Sequence, residues 1–364
     1  MTRPLRIGVV GASYSAGTHL PTYALLPEVE VVAVATSRAA TAEAAAERFG
    51  IPRAYAGYDQ LCADPDIDLV DVATRPSRHR NMVETALAAG KHVLCEVPFA
   101  PSVVDGQAMA YAADRAGRLG LLDLQSRFWP GLWELHRLIR AGYLGVLENV
   151  EVRAFYPTFT RPERVEGSLW CADAPNGAST LRVHGLHTAD LIRWLFGELS
   201  EVTGTAATRR PVWPAPAGPL PATSRDSVAF TGRLADGAVC SVHSSWVAWH
   251  GSGWRLAAYG SEGVLVASAA GHTGHFPVRV EGARADDEGL REIRPMAGLD
   301  EVTELPPDAP TYPFARLVRR LALSLQADDP AAAVAAAQVP TFADGLGLLL
   351  LADAVDGAHP SHAA

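Results

Sequence analysis

The stretch LRIGVVGASYSAGTHLPTYALLPEVEVVAVATSR, residues 5–38, reads as one strand–helix–strand unit. Leu5 to Val10 and Val31 to Ala35 are short, near-continuous aliphatic runs, which marks strands buried on both faces of a parallel sheet. Between them, Gly11-Ala12-Ser13-Tyr14-Ser15-Ala16-Gly17 stands where a glycine-rich turn lays a dinucleotide pyrophosphate against main-chain N–H groups at a helix start. The match is partial. Gly11 suits the turn and Ala16 is an accepted small residue, but Ser13 puts a Cβ where a second glycine would let the backbone close on phosphate. The Ser13 and Ser15 hydroxyls can return some donors; the other reading is an ordinary strand-to-helix turn. At the end of the second strand an NAD site carries an acid for the ribose, whereas this chain has Thr36-Ser37-Arg38. Two hydroxyls and a cation suit a 2′-phosphate and point to NADP(H) over NAD(H); the plain alternative is a solvated arginine opening the next helix.

Outward from this unit the alternation continues. Ala39 to Phe49 is a helix closed by Gly50, Tyr58 to Ala63 a short helical turn, and Leu69 to Ala73 a third parallel strand. His79 to Ala89 is a helix stopped by Gly90, His92 to Cys95 a fourth strand, Val103 to Ala116 a helix and Leu119 to Leu124 a fifth strand. Residues 1–125 therefore form a doubly wound parallel sheet whose ligand crevice lies beyond the strand C-termini. In residues 126–364 the period changes. Val146 to Phe155, Val228 to Leu234, Ala238 to Val247, Trp254 to Tyr259 and Val264 to Ser268 are strands joined by turns such as Asp236-Gly237, an α+β domain with an open, mainly antiparallel sheet. Leu181 to Phe196 is its long helix, Pro211 to Pro221 a surface loop or a dimer-facing excursion, and Phe314 to Leu325 and Ala331 to Val355 are terminal helices expected to pack back on the first domain.

Composition narrows the function. With 364 residues, 48% of them hydrophobic, the chain can bury two cores, and a formal net charge of -9 argues against nucleic acid, whose binding needs clustered Lys and Arg. Four scattered cysteines suggest neither a disulfide framework nor a zinc knuckle, and reduced thiols fit a cytoplasmic location. No apolar run approaches a membrane span, and the first strand starts too near Met1 for a signal peptide. No metal site is expected: His272-Thr273-Gly274-His275 holds a close histidine pair with no nearby acidic or Cys ligand and reads as a solvated loop.

Three stretches carry a resemblance. Val72-Ala73-Thr74-Arg75-Pro76-Ser77-Arg78-His79, Gly90-Lys91-His92-Val93-Leu94-Cys95-Glu96-Val97-Pro98 and Gly185-Leu186-His187-Thr188-Ala189-Asp190 are similar to the glucose-fructose oxidoreductase/inositol dehydrogenase (Gfo/Idh/MocA) family. The likeness spans nearly the whole chain, including Gln125-Ser126-Arg127-Phe128 and Tyr259-Gly260-Ser261-Glu262-Gly263. It implies a Rossmann domain and an open sheet, hydride transfer between NAD(P) and a hydroxyl or carbonyl carbon, often on a sugar or cyclitol, and a homodimer or homotetramer. It also implies a Lys, an Asp and a His facing the reacting oxygen. Here Val97 stands for the Lys and Val183 for the Asp, and His187 remains.

At helical spacing Val183 and His187 share a face, with His184 beside them. Loss of a cationic donor penalises carbonyl reduction, whereas a protonated imine already carries positive charge and would be repelled by a Lys. Three readings follow: a reductase or dehydrogenase with a small biosynthetic substrate, C=O/CH–OH or C=N; redox-neutral nicotinamide chemistry such as elimination or cyclisation; and a non-catalytic NADP-binding sensor. The resemblance assigns proton transfer to His187 with His184 as second candidate. Arg127, Tyr156, Trp170, Arg182 and Val183 are expected at the substrate, and Thr74, Arg75, Pro76, His79, Glu96, Val97 and Pro98, with the loop and Thr36 to Arg38, at the cofactor.

Overall fold

A computed structural model describes residues 3–296, 298 and 301–357. The chain divides into two units, Met1–Leu124 with Phe314–Leu349, and Gln125–Pro313 with Leu350–Ala364.

The first unit holds a six-stranded sheet built from β1 (Leu5–Val10), β2 (Val29–Thr36), β3 (Arg53–Ala56), β4 (Leu69–Val72), β5 (His92–Cys95) and β6 (Gly120–Leu122). The order is β3-β2-β1-β4-β5-β6, and every pair is parallel. The aliphatic runs dictate this arrangement: β4 is buried at all four positions, as a strand covered on both faces must be. β3 is a correction to the five-strand expectation. Its Arg-Ala-Tyr-Ala pairs only with β2 and is half-exposed, so it carries none of the aliphatic signal of a central strand.

The connecting helices are α1 (His19–Tyr23), α2 (Ala39–Phe49), α3 (Tyr58–Ala63), α4 (Pro76–Ala88) and α5 (Val103–Ala116). α2 and α5 end on left-handed Gly50 and Gly117, α4 begins with Pro76 in its first turn, and the Ser102 hydroxyl caps α5 by accepting from Asp105 N–H. Strand C-termini thereby gather Gly11, Thr36, Asp71, Glu96 and Asp123 at one edge of the sheet.

The second unit carries an eight-stranded sheet of β7 (Leu147–Phe155), β8 (Leu199–Ala207), β11 (Ser227–Leu234), β12 (Val239–Ser245), β13 (Gly253–Gly260), β14 (Gly263–Ala269), β15 (Arg279–Arg284) and β16 (Arg291–Ile293). Its order is β16-β15-β14-β13-β7-β12-β11-β8, antiparallel except between β7 and β12. Burial alternates along β11 and β12, so one face lies on the core. The segment expected as a proline-rich loop is a hairpin of β9 (Val212–Ala215) and β10 (Gly218–Pro221), which buries Trp213.

The remaining helices of the chain are α6 (Pro130–Arg140), α7 (Pro162–Val165) and α8 (Leu186–Phe196), then α9 (Tyr312–Leu325), α10 (Pro330–Ala336) and α11 (Phe342–Gly357), residues 314–349 belonging to the first unit. Two helix expectations change. The terminal Ala331 to Val355 run breaks at Gln338, whose φ is +56°, and the Leu181 to Phe196 run opens with a π-turn, Leu181–Gly185, before α8. No described helix is long and apolar enough to cross a membrane.

Candidate functional site

The dinucleotide loop belongs to the first unit. Gly11 has φ +106°, and a Cβ there would lie 2.3 Å from the Ala73 carbonyl oxygen, so only glycine lets β1 turn at this point. Ser13 and Tyr14 are exposed and Ala12 half-buried, consistent with a loop presented to a ligand. Ser15 corrects the hydroxyl-donor reading: its side chain is buried and donates to the Gly11 carbonyl at 2.6 Å, so it shapes the loop from below. α1, five residues long, starts only at His19.

At the end of β2, Thr36 is likewise consumed locally. Its hydroxyl donates to the Arg38 carbonyl at 2.8 Å and lies 2.5 Å from the Thr41 hydroxyl. Ser37 and Arg38 are exposed, and Arg38 forms no ion pair among the described residues. Farther along, Arg75 is exposed, while His79 is fully buried between the Thr74 and Phe99 carbonyls at 3.0 and 3.1 Å. His79 therefore braces the loop that carries Glu96, Val97 and the cis-bonded Pro98, and the expectation that it touches a cofactor is corrected.

Beside this loop lies a charged network that sequence reading missed apart from Glu96. His19 is fully buried, its Nδ1 2.7 Å from Asp71 Oδ2 and its Nε2 2.8 Å from Glu96 Oε1 and 3.3 Å from Asp123 Oδ2. Tyr23 donates to Asp71 Oδ2 at 2.9 Å, and Phe314 stacks on the imidazole at 4.2 Å. Burial draws the His19 pKa down, but the Asp71 charge and bonds to all three carboxylates outweigh it and hold the ring well above its ordinary value. Glu96 is pushed up to about 7 by burial and by the Asp123 charge, with His19 opposing. The available signal was a charge, Asp71, inside the aliphatic strand Leu69 to Ala73.

In the second unit the π-turn carries His184 and the first turn of α8 carries His187. His184 and His187 both stand against His272, ring centroids 4.7 and 4.8 Å apart, and Tyr156 packs edge-on to His184 and His272 at 5.2 and 5.7 Å. Ser126 Oγ is 3.4 Å from His187 Nδ1 and 2.9 Å from the Thr273 hydroxyl. His272 thus corrects the solvated-loop reading. Burial lowers the His187 pKa to about 3 and that of His184 to about 4, with neighbouring imidazoles adding to the effect, and raises Tyr156. At neutral pH the cluster is uncharged. Three of its polar atoms, Tyr156 Oη, His184 Nδ1 and His272 Nε2, are buried without a hydrogen-bond partner, an arrangement that is costly unless a ligand or water completes it.

Other expected substrate residues are placed elsewhere. Arg127 binds the fully buried Asp190, its Nε 2.6 Å from Oδ2 and its Nη2 on Oδ1. Arg182 pairs with Asp353 and, at 3.4 Å, with Asp356. Both guanidiniums are held by carboxylates of the chain itself, which corrects the expectation that they receive a substrate anion. Val183 and Trp170 pack on an apolar cluster that includes Phe159, Trp213 and Trp246, and Trp246 also meets the His184 ring edge-on at 5.7 Å.

Residues 5–122 match the family described as "Oxidoreductase family, NAD-binding Rossmann fold", and residues 132–266 the GFO/IDH/MocA C-terminal domain. An uncharacterized oxidoreductase of Synechocystis sp. is 27% identical over 72% of this chain and 71% of its own length. D-apiose dehydrogenase of Paraburkholderia graminis is 30% identical over 56% of the chain and 52% of its own length, so the match spans about half of that relative. Levoglucosan dehydrogenase, solved with NADH and levoglucosan, superposes with a TM-score of 0.80 at 24% identity, covering 98% of this chain and 97% of that one.

Proposed function

Because the chain belongs to the GFO/IDH/MocA family of oxidoreductases, we propose that it moves a hydride between NADP(H), bound on its first unit, and a small polar substrate held by the Tyr156, His184, His187 and His272 cluster of its second. The observation that carries this reading is the set of buried, unpartnered polar atoms in that cluster. They can donate to or accept from the hydroxyls of a sugar-like or polyol substrate while the rings supply apolar contact. The names of the relatives, D-apiose dehydrogenase and levoglucosan dehydrogenase, support a CH–OH/C=O carbon as the reacting one.

The residues present fit the dinucleotide. Gly11 makes the tight turn against Ala73 that a dinucleotide-binding loop requires, and the exposed Arg38, unmatched by a carboxylate, favours a 2′-phosphate. When bound, the nicotinamide supplies or takes up the hydride. In substrate oxidation a neutral His187 accepts the hydroxyl proton, with Ser126 and Thr273 fixing its ring. Arg127 acts as a positioning residue, since its pair with Asp190 ties the Ser126 segment to α8.

A second reading, reduction of C=N, is favoured by the low His187 and His184 pKa values. A protonated imine becomes an amine on receiving hydride alone, so an uncharged pocket with no acid at neutral pH suffices.

The test is to follow reduced-nicotinamide absorbance with a polyol panel plus NADP+ and with cyclic imines plus NADPH. Net absorbance change with either class, falling about 10²–10⁴-fold in His187→Ala, supports hydride transfer. Turnover without absorbance change would establish redox-neutral chemistry instead, and an undiminished rate in His187→Ala would remove that residue from proton transfer. Light scattering tests the expected homodimer or homotetramer.

A further inference from the structure

We propose that His19, Glu96 and Asp123 form a binding site for one divalent first-row cation of the zinc type. The donor atoms stand at ligand spacing: His19 Nε2 is 2.8 Å from Glu96 Oε1 and 3.3 Å from Asp123 Oδ2, and all three atoms lie within 4.8 Å of one another. Around an ion with bonds of about 2.0–2.2 Å, neighbouring ligands in tetrahedral or octahedral arrangement stand roughly 3.0–3.4 Å apart. The two separations from His19 Nε2, 2.8 and 3.3 Å, lie within a few tenths of an ångström of that range.

A second observation is independent of spacing. His19 Nε2 is fully buried and meets Glu96 Oε1 and Asp123 Oδ2 as ion pairs at 2.8 and 3.3 Å that lack the angle of a directed hydrogen bond. The other ring nitrogen is fixed: Nδ1 lies 2.7 Å from Asp71 Oδ2, which Tyr23 also holds. That is the carboxylate–histidine arrangement that sets a ligating tautomer and turns the Nε2 lone pair toward a metal.

Charge points the same way. Three carboxylates surround one imidazole in a largely buried place, and an imidazolium offsets just one of them, whereas a divalent ion offsets two. One nitrogen and two oxygens suit zinc, manganese or cobalt, and three protein ligands leave a position open for water. Phe314 stacked on the ring and Tyr14 at its edge, 5.5 Å away, hold the nitrogen in place.

The test uses the full chain after chelator treatment. Titration calorimetry with Zn2+ alone is expected to show one ion bound at micromolar affinity or tighter, weakened at least tenfold in Asp123→Asn and in Glu96→Gln and about 10–100-fold in Asp71→Asn. Asp353→Asn, which removes a carboxylate paired with Arg182 and none of the three ligands, is expected to leave binding unchanged. Co2+ should give visible d–d absorption, and crystals soaked in Zn2+ an anomalous peak beside His19 Nε2. Failure of Zn2+ to bind at millimolar concentration overturns the proposal, as does binding that is indifferent to both carboxylate variants or an anomalous peak at His272 and His275. Should the variants lose their fold by circular dichroism, the Co2+ spectrum and the anomalous map of the unmodified chain decide the matter.

Discussion

Removing one partner of the Arg127–Asp190 pair tests whether that pair, and not a substrate anion, is what Arg127 serves. Arg127 is 6% exposed and Asp190 0%, and the contact is bidentate, from Nε at 2.6 Å and from Nη2. Burial this complete means that water cannot screen or rescue the survivor, so no discount for exposure applies. Asp190→Leu takes its carboxylate from a buried guanidinium, and Arg127→Met takes its guanidinium from a buried carboxylate, a loss of about 3–5 kcal/mol in either case. For a unit of this size each kcal/mol moves the melting transition by about 2–4 °C, so a drop of roughly 6–20 °C is expected in the transition of the second unit. The double variant Arg127→Met/Asp190→Leu removes both charges and should recover most of the loss. Calorimetry reads the transition, and hydrogen exchange over residues 125–128 and 186–196 locates it, which guards against treating a two-unit chain as two-state. Single-variant losses below about 1 kcal/mol, or a double variant as unstable as the sum of the singles, would refute the reasoning and return Arg127 to the list of ligand-facing residues.

Gly11→Ala forces a Cβ to within 2.3 Å of the Ala73 carbonyl at φ +106°, so NADPH affinity, read by fluorescence titration, is expected to fall at least tenfold with about 1–3 kcal/mol of strain. Arg38→Ala should weaken NADP+ at least tenfold and leave NAD+ nearly unchanged in kcat/KM; equal losses for both cofactors would remove Arg38 from 2′-phosphate recognition. His187 titrates near 6.5 when unfolded and at about 3 when folded, so below pH 6.5 the unfolded chain binds a proton that the folded chain refuses. Stability should therefore fall on acidification from pH 6.5 towards 3, by up to about 1.4 kcal/mol per pH unit from this group. Denaturant titrations at pH 7 and pH 5 check this, with His187→Asn flattening the slope.

The central strands could be read from sequence because burial on both faces imposes an aliphatic run, and Leu5 to Val10 or Val31 to Ala35 have no other soluble use. β3 and β8 escaped because edge strands need no such run: β8 reads Leu-Ser-Glu-Val-Thr-Gly-Thr-Ala-Ala and is nowhere fully buried. The candidate site was legible in part. His187 and the Gly11 turn are local features, whereas the partners of Arg127 and His19 lie 63 and 52 residues away in sequence, and no local pattern says which carboxylate a cation will meet. The π-turn is the sharper lesson. Val183 packs on the tryptophan cluster, whereas His184, the next residue of the same turn, meets both Trp246 of that cluster and the His272 ring that His187 also meets. Motif spacing put Val183 and His184 beside His187 but gave no sign of His272, while an acid in the fully buried strand Leu69–Val72 marked a real charged network. A buried charge has to be answered by something nearby, which makes it the more dependable pointer to chemistry in a chain whose sites have diverged on a retained fold.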